Sequence, residues 1–424
     1  MSRGLTLCIV GAGSSYTPEL VSGLLAQPQD ELPVSAVRLT DINPERLAVM
    51  AGLAERMVRH AGREVAVHKD TELERMLEGA DFVITQIRVG GMKARYLDES
   101  IPLKYGIIGQ ETTGPGGMFK ALRTIPPMLD IARKVTEVCP EAFILNYTNP
   151  SGIITEAVTK HARARLIGLC SGIPGMQKRL RAALASRYPN LKTYCVGLNH
   201  FGFVHRMVSD GRDVTAEAIE AAYGKDGPLA GDGQTAQLCR LIGAVPISYV
   251  NYYFHRGRRL ADARSAPQTR AQQVEQIERE VLCEAADPQT VAKPKALSKR
   301  GGGGYADITF SVMKAILNDT GAELPANVPN HGAVRAMEED AVVEVVCRVD
   351  RRGAAPLPVG RVPLAFAGLV QAIKAYETLT VEAAIARSRR LAVLALMNHP
   401  LAGDLDVIGP MVSEMLEAHG LRFD

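Results

Sequence analysis

With 424 residues, 46% of them hydrophobic and 22% charged, the chain has an ordinary globular composition and enough length for two domains. Lys plus Arg is 49 against 46 for Asp plus Glu, a net charge of +3 that argues against nucleic acid or a membrane surface as partner. No apolar run approaches a membrane span, the first strand begins too early for a signal peptide, and the 7 cysteines are scattered, so reduced thiols in the cytoplasm are expected.

Leu5 to Val10 is an apolar run of the kind a buried parallel strand carries. It breaks at Gly11-Ala12-Gly13-Ser14-Ser15-Tyr16-Thr17-Pro18, and a helix follows from Glu19. Strand, Gly-x-Gly and helix is the order that aims backbone N–H groups and a helix N-terminus at a pyrophosphate. Tyr16 stands where the usual fingerprint has its third glycine, and glycine also serves turns that hold no ligand. The second strand, Val37 to Asp41, favours the dinucleotide. Its terminal acid is placed to accept ribose hydroxyls and to repel a 2′-phosphate, so NAD is expected rather than NADP. The cofactor candidates are Gly11, Gly13, Ser14, Ser15 and Asp41.

A third strand, Phe82 to Ile87, leads into Arg88 and a charged helical stretch with Arg95, Asp98 and Glu99. Gly106 to Gly117 holds five glycines and a proline, a density expected to exclude helix and central strand alike. Such a loop lets backbone approach a ligand, although a surface linker has a similar composition; Gln110, Glu111, Thr112 and Thr113 within it favour the ligand. Helix is expected from Arg123 to Val138, and a strand at Phe143 to Leu145 delivers Asn146 and Asn149. Another strand, Arg165 to Leu169, delivers Cys170, and Gly197-Leu198-Asn199-His200 closes the series. Each segment ends in ligand-capable side chains, where an open α/β sheet places its binding groups.

After residue 205 the pattern becomes mixed. Asp210-Gly211 marks a hairpin turn, Thr215 to Tyr223 a helix, and Arg270 to Glu280 a charged helix. Alternation from Ala341 to Val349, broken by Arg351-Arg352-Gly353, predicts an antiparallel hairpin. Segments 369–375 and 381–397 are expected to close the chain as helices. Gly301 to Gly304 is the one low-complexity tract. The expected class is therefore α/β: a Rossmann-like doubly wound parallel sheet over residues 1–195, then an α+β substrate- and metal-binding domain over 196–424, as in lactate and malate dehydrogenases.

Several of these stretches together resemble glycoside hydrolase family 4, glycosidases that require NAD and a divalent metal, usually manganese. They are the Gly11-to-Glu19 turn, Ile108 to Gly117, Asn146-Tyr147-Thr148-Asn149-Pro150 and Gly197 to His200. Thr320 to Asn330, Lys374 to Ala384, and Thr113 in place of cysteine look most like the 6-phospho-β-glucosidase branch. The resemblance implies oxidation at sugar C3 by enzyme-bound NAD, removal of the acidified C2 proton, and elimination of the aglycone from C1. Water then adds and the hydride returns to C3, with no net redox. A metal held by C2 and C3 oxygens would stabilise the developing enediolate. The resemblance assigns the metal to Cys170 and His200, whose thiolate and imidazole suit a site completed by sugar oxygens and water. It makes a tyrosine the base, with Tyr249 the better match and Tyr252 the second. It also gives Arg270, Asn149 and Glu111 substrate contacts, with Arg88 and Arg95 the candidates for a 6-phosphate. A homodimer or homotetramer is implied.

One position departs from the pattern. Ser171 stands where the α-glucosidase branch carries Asp and the β branch usually Asn, with the family proline one place later at Pro174. A serine hydroxyl is a poor general acid, which argues against the α arrangement and leaves an unphosphorylated or unusual glycoside open. Two other classes share the nucleotide turn. A lactate- or malate-type dehydrogenase would release NADH, and a silent nucleotide-binding protein would need neither Cys170 nor Tyr249.

Overall fold

The computed structural model describes residues 4–231, 233–301 and 303–424, so Gly302 of the glycine tract and the first three residues lie outside the described residues. Six parallel strands come first: β1 (Leu5–Val10), β2 (Val34–Thr40), β3 (Ala66–Lys69), β4 (Phe82–Thr85), β5 (Phe143–Asn146) and β6 (Leu166–Gly168). Their spatial order is β3-β2-β1-β4-β5-β6. β4 and β5 are buried at every residue, and β1 at every residue after Leu5. That is what a parallel strand covered by helices on both faces requires. The order reverses between β1 and β4, and the crevice beyond their carboxyl ends is where such sheets bind ligands. β3 escapes a sequence reading because it is short and largely exposed.

β7 (Lys192–Leu198) and β8 (Phe201–Ser209) form an antiparallel hairpin, extended by β9 (Arg212–Asp213) and β10 (Val245–Pro246). Asp210 and Gly211, both at positive φ, make the turn between β8 and β9. β11 (Ala322–Pro329), β12 (Val342–Asp350) and β13 (Gly353–Pro356) then pair antiparallel with one another. Asn327 opposite Gly168 joins them to the β6 edge. The nine-stranded sheet thus draws on both halves of the chain.

Two expectations are corrected. Gly114-Pro115-Gly116-Gly117 is not loop but the opening turn of a helix, Gly114–Val138. Proline costs nothing in a first turn, whose N–H groups lack intrahelical partners. The glycines serve close approach: a Cβ on Gly116 would lie 2.4 Å from the Gln110 carbonyl oxygen. The chain also ends in three helices rather than two, Leu364–Ala386, Arg389–Asn398 and Leu405–Ala418. The first runs unbroken through Thr378-Leu379-Thr380, where Thr380 Oγ1 bonds back to the Tyr376 carbonyl at 2.8 Å, and stops where Arg387 turns to φ +50°.

Glu156, on the helix Ser151–His161, ties these layers together. Its carboxylate takes Lys374 Nζ at 2.8 Å, Thr378 Oγ1 at 2.7 Å and Val342 N at 3.0 Å. Burial alone would raise its pKa, but Lys374 and Lys160 prevail and hold it down at about 2. Among the described residues no helix is long and apolar enough to cross a membrane.

Candidate active site

After β1 the chain turns back over β2. Gly11 and Ala12 both donate to the Thr40 carbonyl at 2.9 Å. Gly11 sits at φ +84°, and a Cβ there would meet the Gln86 backbone at 3.0 Å, so glycine is required both for conformation and for space. Gly13 donates its N–H to Asp41 Oδ2 at 2.8 Å, and the other Asp41 oxygen takes Asn43 N at 2.8 Å. The helix Thr17–Leu25 follows with proline in its first turn. This cradle of bare backbone, followed by a helix N-terminus and with a carboxylate at the end of β2, has the form of a dinucleotide turn, its Gly11, Ala12 and Gly13 N–H groups being engaged within the chain.

Across the crevice, β6 ends at Gly168 and delivers Cys170 just before the helix Gly172–Leu184. The β7–β8 pairing closes on Leu198 opposite Phe201, leaving Asn199-His200 as a two-residue turn with His200 at φ +63°. Two distant segments thus bring Cys170 Sγ within 3.9 Å of His200 Nε2. Burial pushes the thiol up to about 12, opposed by bonds from the Gly172 and Ser171 backbone and from Asn199. Burial, then Lys120, lowers the His200 pKa to about 3, which keeps the imidazole neutral as a ligand must be. The Asn199 amide nitrogen faces that thiol, and its Oδ1 is buried and, among the described residues, without a hydrogen-bond partner. No group of three or more His, Cys, Asp or Glu side chains able to hold a metal occurs among the described residues. A thiol that gives up its proton to a cation, a neutral imidazole and the unpartnered Asn199 Oδ1 fit a divalent ion that takes its remaining ligands from substrate and water.

Tyr249 enters from a short 3₁₀ turn, Ser248–Val250, its ring centre 4.3 Å from that of His200. Burial raises its pKa, and the negative charges of Glu111 and Cys170 raise it further. Tyr252 follows with its ring 6.2 Å from Tyr249. Tyr253 turns away to pack on Phe201, its hydroxyl shared with Thr113 and His399.

Glu111 is the electrostatic hub. Arg88 reaches it at 2.6 Å, Arg95 at 3.0 Å and Lys120 at 2.8 Å. Burial alone would raise its pKa, but Arg88, Lys120 and Arg95 hold it well below the usual carboxylate range. Arg95 also bonds Glu99 at 2.7 Å, so neither arginine stands free. Asn149 donates to the Tyr147 carbonyl at 3.1 Å, while its Oδ1 is buried and, among the described residues, unpartnered. Arg270 is not brought into this group. It is exposed at the start of the helix Arg270–Ala286, bonded to Gln273 and to the Arg300 carbonyl.

Sequence reasoning missed Lys120. Its side chain is 4% exposed, on Glu111, and close enough to His200 to shift its charge equilibrium. Burial and Arg88 lower the Lys120 pKa to about 7. The available signal was a lysine inside the apolar helical run Met118-Phe119-Lys120-Ala121-Leu122.

A Rossmann sheet carries a glycine turn of the dinucleotide-binding kind on one side of the switch point and a thiol–imidazole pair with an adjacent tyrosine on the other. The comparisons name the class. The model of "Family 4 glycosyl hydrolase" matches residues 6–186 and that of its C-terminal domain residues 195–402. The chain belongs to glycosyl hydrolase family 4. It is 39% identical to the "Probable 6-phospho-beta-glucosidase" of Bacillus subtilis (strain 168), over 99% of this chain and 97% of that one. It is 36% identical to the "6-phospho-beta-glucosidase" of Escherichia coli (strain K12), over 99% and 96%. The structure of the 6-phospho-β-glucosidase from Thermotoga maritima with NAD and glucose 6-phosphate matches with a TM-score of 0.90 and 31% identity, covering 100% of both chains. The same enzyme with manganese, NAD+ and glucose 6-phosphate gives 0.89 over 99% of each. A malate dehydrogenase from Cryptosporidium parvum, 13% identical, shares the fold alone.

Proposed function

We propose that this chain hydrolyses 6-phospho-β-glucosides with NAD and a divalent cation, manganese foremost, as cofactors. The single observation that carries the reading is the junction of Cys170, His200 and Tyr249, with 3.9 Å between Sγ and Nε2 and 4.3 Å between rings. When bound, the dinucleotide supplies reversible oxidation at sugar C3 and the cation supplies Lewis acidity at the C2 and C3 oxygens. Cys170 and His200 hold the cation. Tyr249 Oη takes the C2 proton; its raised pKa means it reaches its basic form only beside added positive charge. The unserved Asn149 Oδ1 accepts a sugar hydroxyl. Glu111 is kept ionised to accept another, and Arg88 and Arg95, both bonded to it, take the 6-phosphate. Residues 1–195 carry the dinucleotide and 196–424 close over the sugar. Arg270 reaches substrate through that closure. The protein works in the cytoplasm as a homodimer or homotetramer.

The test is cleavage of p-nitrophenyl β-glucoside 6-phosphate beside its unphosphorylated and α-linked counterparts, with NAD and manganese added or withheld. Cleavage of the β-phosphate substrate alone, dependent on both additions and without NADH accumulating, is expected. Preference for an unphosphorylated or α substrate would show that Ser171 marks a change of specificity and overturn the assignment. NADH formation without nitrophenol would make the protein a dehydrogenase.

A further inference from the structure

Two arginines and a glutamate around the Gly11-to-Ser15 turn have no part in the account so far. Arg46, from the helix Pro44–His60, donates from Nε to the Gly13 carbonyl at 2.9 Å and from its terminal nitrogens to Glu278 at 3.3 and 3.4 Å. Glu278, from the helix Arg270–Ala286, also accepts Ser15 Oγ at 3.3 Å and Arg300 Nη2 at 3.0 Å. Arg300 lies with its Cζ 4.1 Å from the centre of the Tyr16 ring, and its side chain is 6% exposed. Its Nε and Nη1 are buried and, among the described residues, have no acceptor beyond the Tyr16 side chain on which the guanidinium lies.

A buried guanidinium normally has its donors served, because unserved ones keep the desolvation cost without the return. Here two of the three nitrogens of Arg300 lack a carboxylate or carbonyl partner, beside the tyrosine that follows the Gly11-to-Ser15 turn. The group that now gathers the donors is a carboxylate. One hydroxyl from the turn, one guanidinium bonded to the turn and one stacked on its tyrosine are the donor set that a phosphate oxyanion takes. Glu278 takes only one of the three nitrogens of Arg300; a phosphate offers more acceptor oxygens.

We propose that Arg300 is an oxyanion ligand of the dinucleotide turn, receiving a phosphate of the pyrophosphate together with Arg46 and Ser15, and that Glu278 holds that seat until the phosphate displaces it. The inference rests on the dinucleotide reading above. It adds a ligand from the C-terminal half of the chain to a site otherwise made by the N-terminal half. It also makes Glu278 an internal competitor, because two anions cannot share the same donors without mutual repulsion.

The substrate's 6-phosphate offers the same chemistry, so the test separates the two sources. Binding of NAD, ADP-ribose and glucose 6-phosphate is measured by calorimetry on the full chain, on Arg300→Gln and on Glu278→Gln. Arg300→Gln should weaken NAD and ADP-ribose by roughly 10- to 100-fold, the range for a lost charge-assisted contact, and leave glucose 6-phosphate within about twofold. Glu278→Gln should tighten NAD, since the competing charge is gone while the shape is kept. Opposite signs from two residues bonded to each other are the signature. NAD binding that Arg300→Gln leaves unchanged overturns the proposal, as does a loss confined to glucose 6-phosphate, which would assign Arg300 to the sugar phosphate. Glu278→Gln weakening NAD would make Glu278 a prop for Arg300 and overturn the displacement. If Arg300→Gln does not fold, Arg46→Gln on its partly exposed side chain gives the same readout, and unchanged NAD affinity there overturns the proposal equally. Failure of the unaltered protein to bind NAD would remove the dinucleotide reading itself, an outcome distinct from all of these.

Discussion

Cys170→Ser and His200→Ala are each expected to lose glycoside cleavage by about a thousandfold or more while still binding NAD. A Lewis acid at the C2 and C3 oxygens is worth several kcal/mol, and each ~1.4 kcal/mol is a factor of ten in rate. The two side chains meet at 3.9 Å from segments that share no part of the Gly11-to-Asp41 cradle, so the dinucleotide keeps its seat when either is removed. Excess manganese should restore little, because serine replaces a thiolate with a hydroxyl that stays protonated at neutral pH and alanine supplies no donor. Initial rates across a manganese titration, beside NAD binding by calorimetry, check both halves. Full activity in either variant would remove the metal assignment.

Tyr249→Phe is expected to lower turnover by roughly 10²- to 10⁴-fold, the usual worth of a positioned acid–base group, with manganese affinity unchanged. The phenyl ring keeps the 4.3 Å packing on His200, so the site's shape survives and only the proton acceptor is lost. Tyr252 is the control. It is next along the chain's tyrosine cluster, 6.2 Å from Tyr249, and burial raises its pKa as well. If Tyr252→Phe proves the more damaging variant, the base has been misassigned and the proton at C2 goes to the second tyrosine.

The local parts of this molecule were legible because they follow from short-range rules. A Gly-x-Gly turn between an apolar strand and a helix reads as a cradle, and the structure gives the reason: a Cβ on Gly11 would meet the Gln86 backbone and one on Gly13 the Asp41 carboxylate. The polar pair Asn199-His200 after an apolar run marked the end of a strand, but not the antiparallel partner: the register of β7 on β8 sets the pair at a hairpin tip in a second sheet. What stayed hidden depends on distant pairing. Nothing near Glu111 in sequence shows that Arg88, Arg95 and Lys120 converge on it, and Asn327 opposite Gly168, which carries three C-terminal strands onto the N-terminal sheet, is one contact across 159 residues. The helix beginning at Gly114 was masked by composition, since glycines needed for backbone approach look the same as glycines in a loop. Arg300 was silent for the same reason: its meaning comes from Tyr16 and Glu278, and each lies far from it or on another helix.

The central claim is that the glycosidic bond is broken by elimination after oxidation of the sugar, and the position of solvent hydrogen in the product tests it most directly. Cleavage of p-nitrophenyl β-glucoside 6-phosphate in D2O, followed by proton NMR of the glucose 6-phosphate released, is predicted to show deuterium at C2. The C2 proton goes to Tyr249, exchanges with solvent and is replaced when water adds across the unsaturated intermediate. Product that retains its original hydrogen at C2 would contradict the account, because direct displacement at C1 leaves that bond untouched.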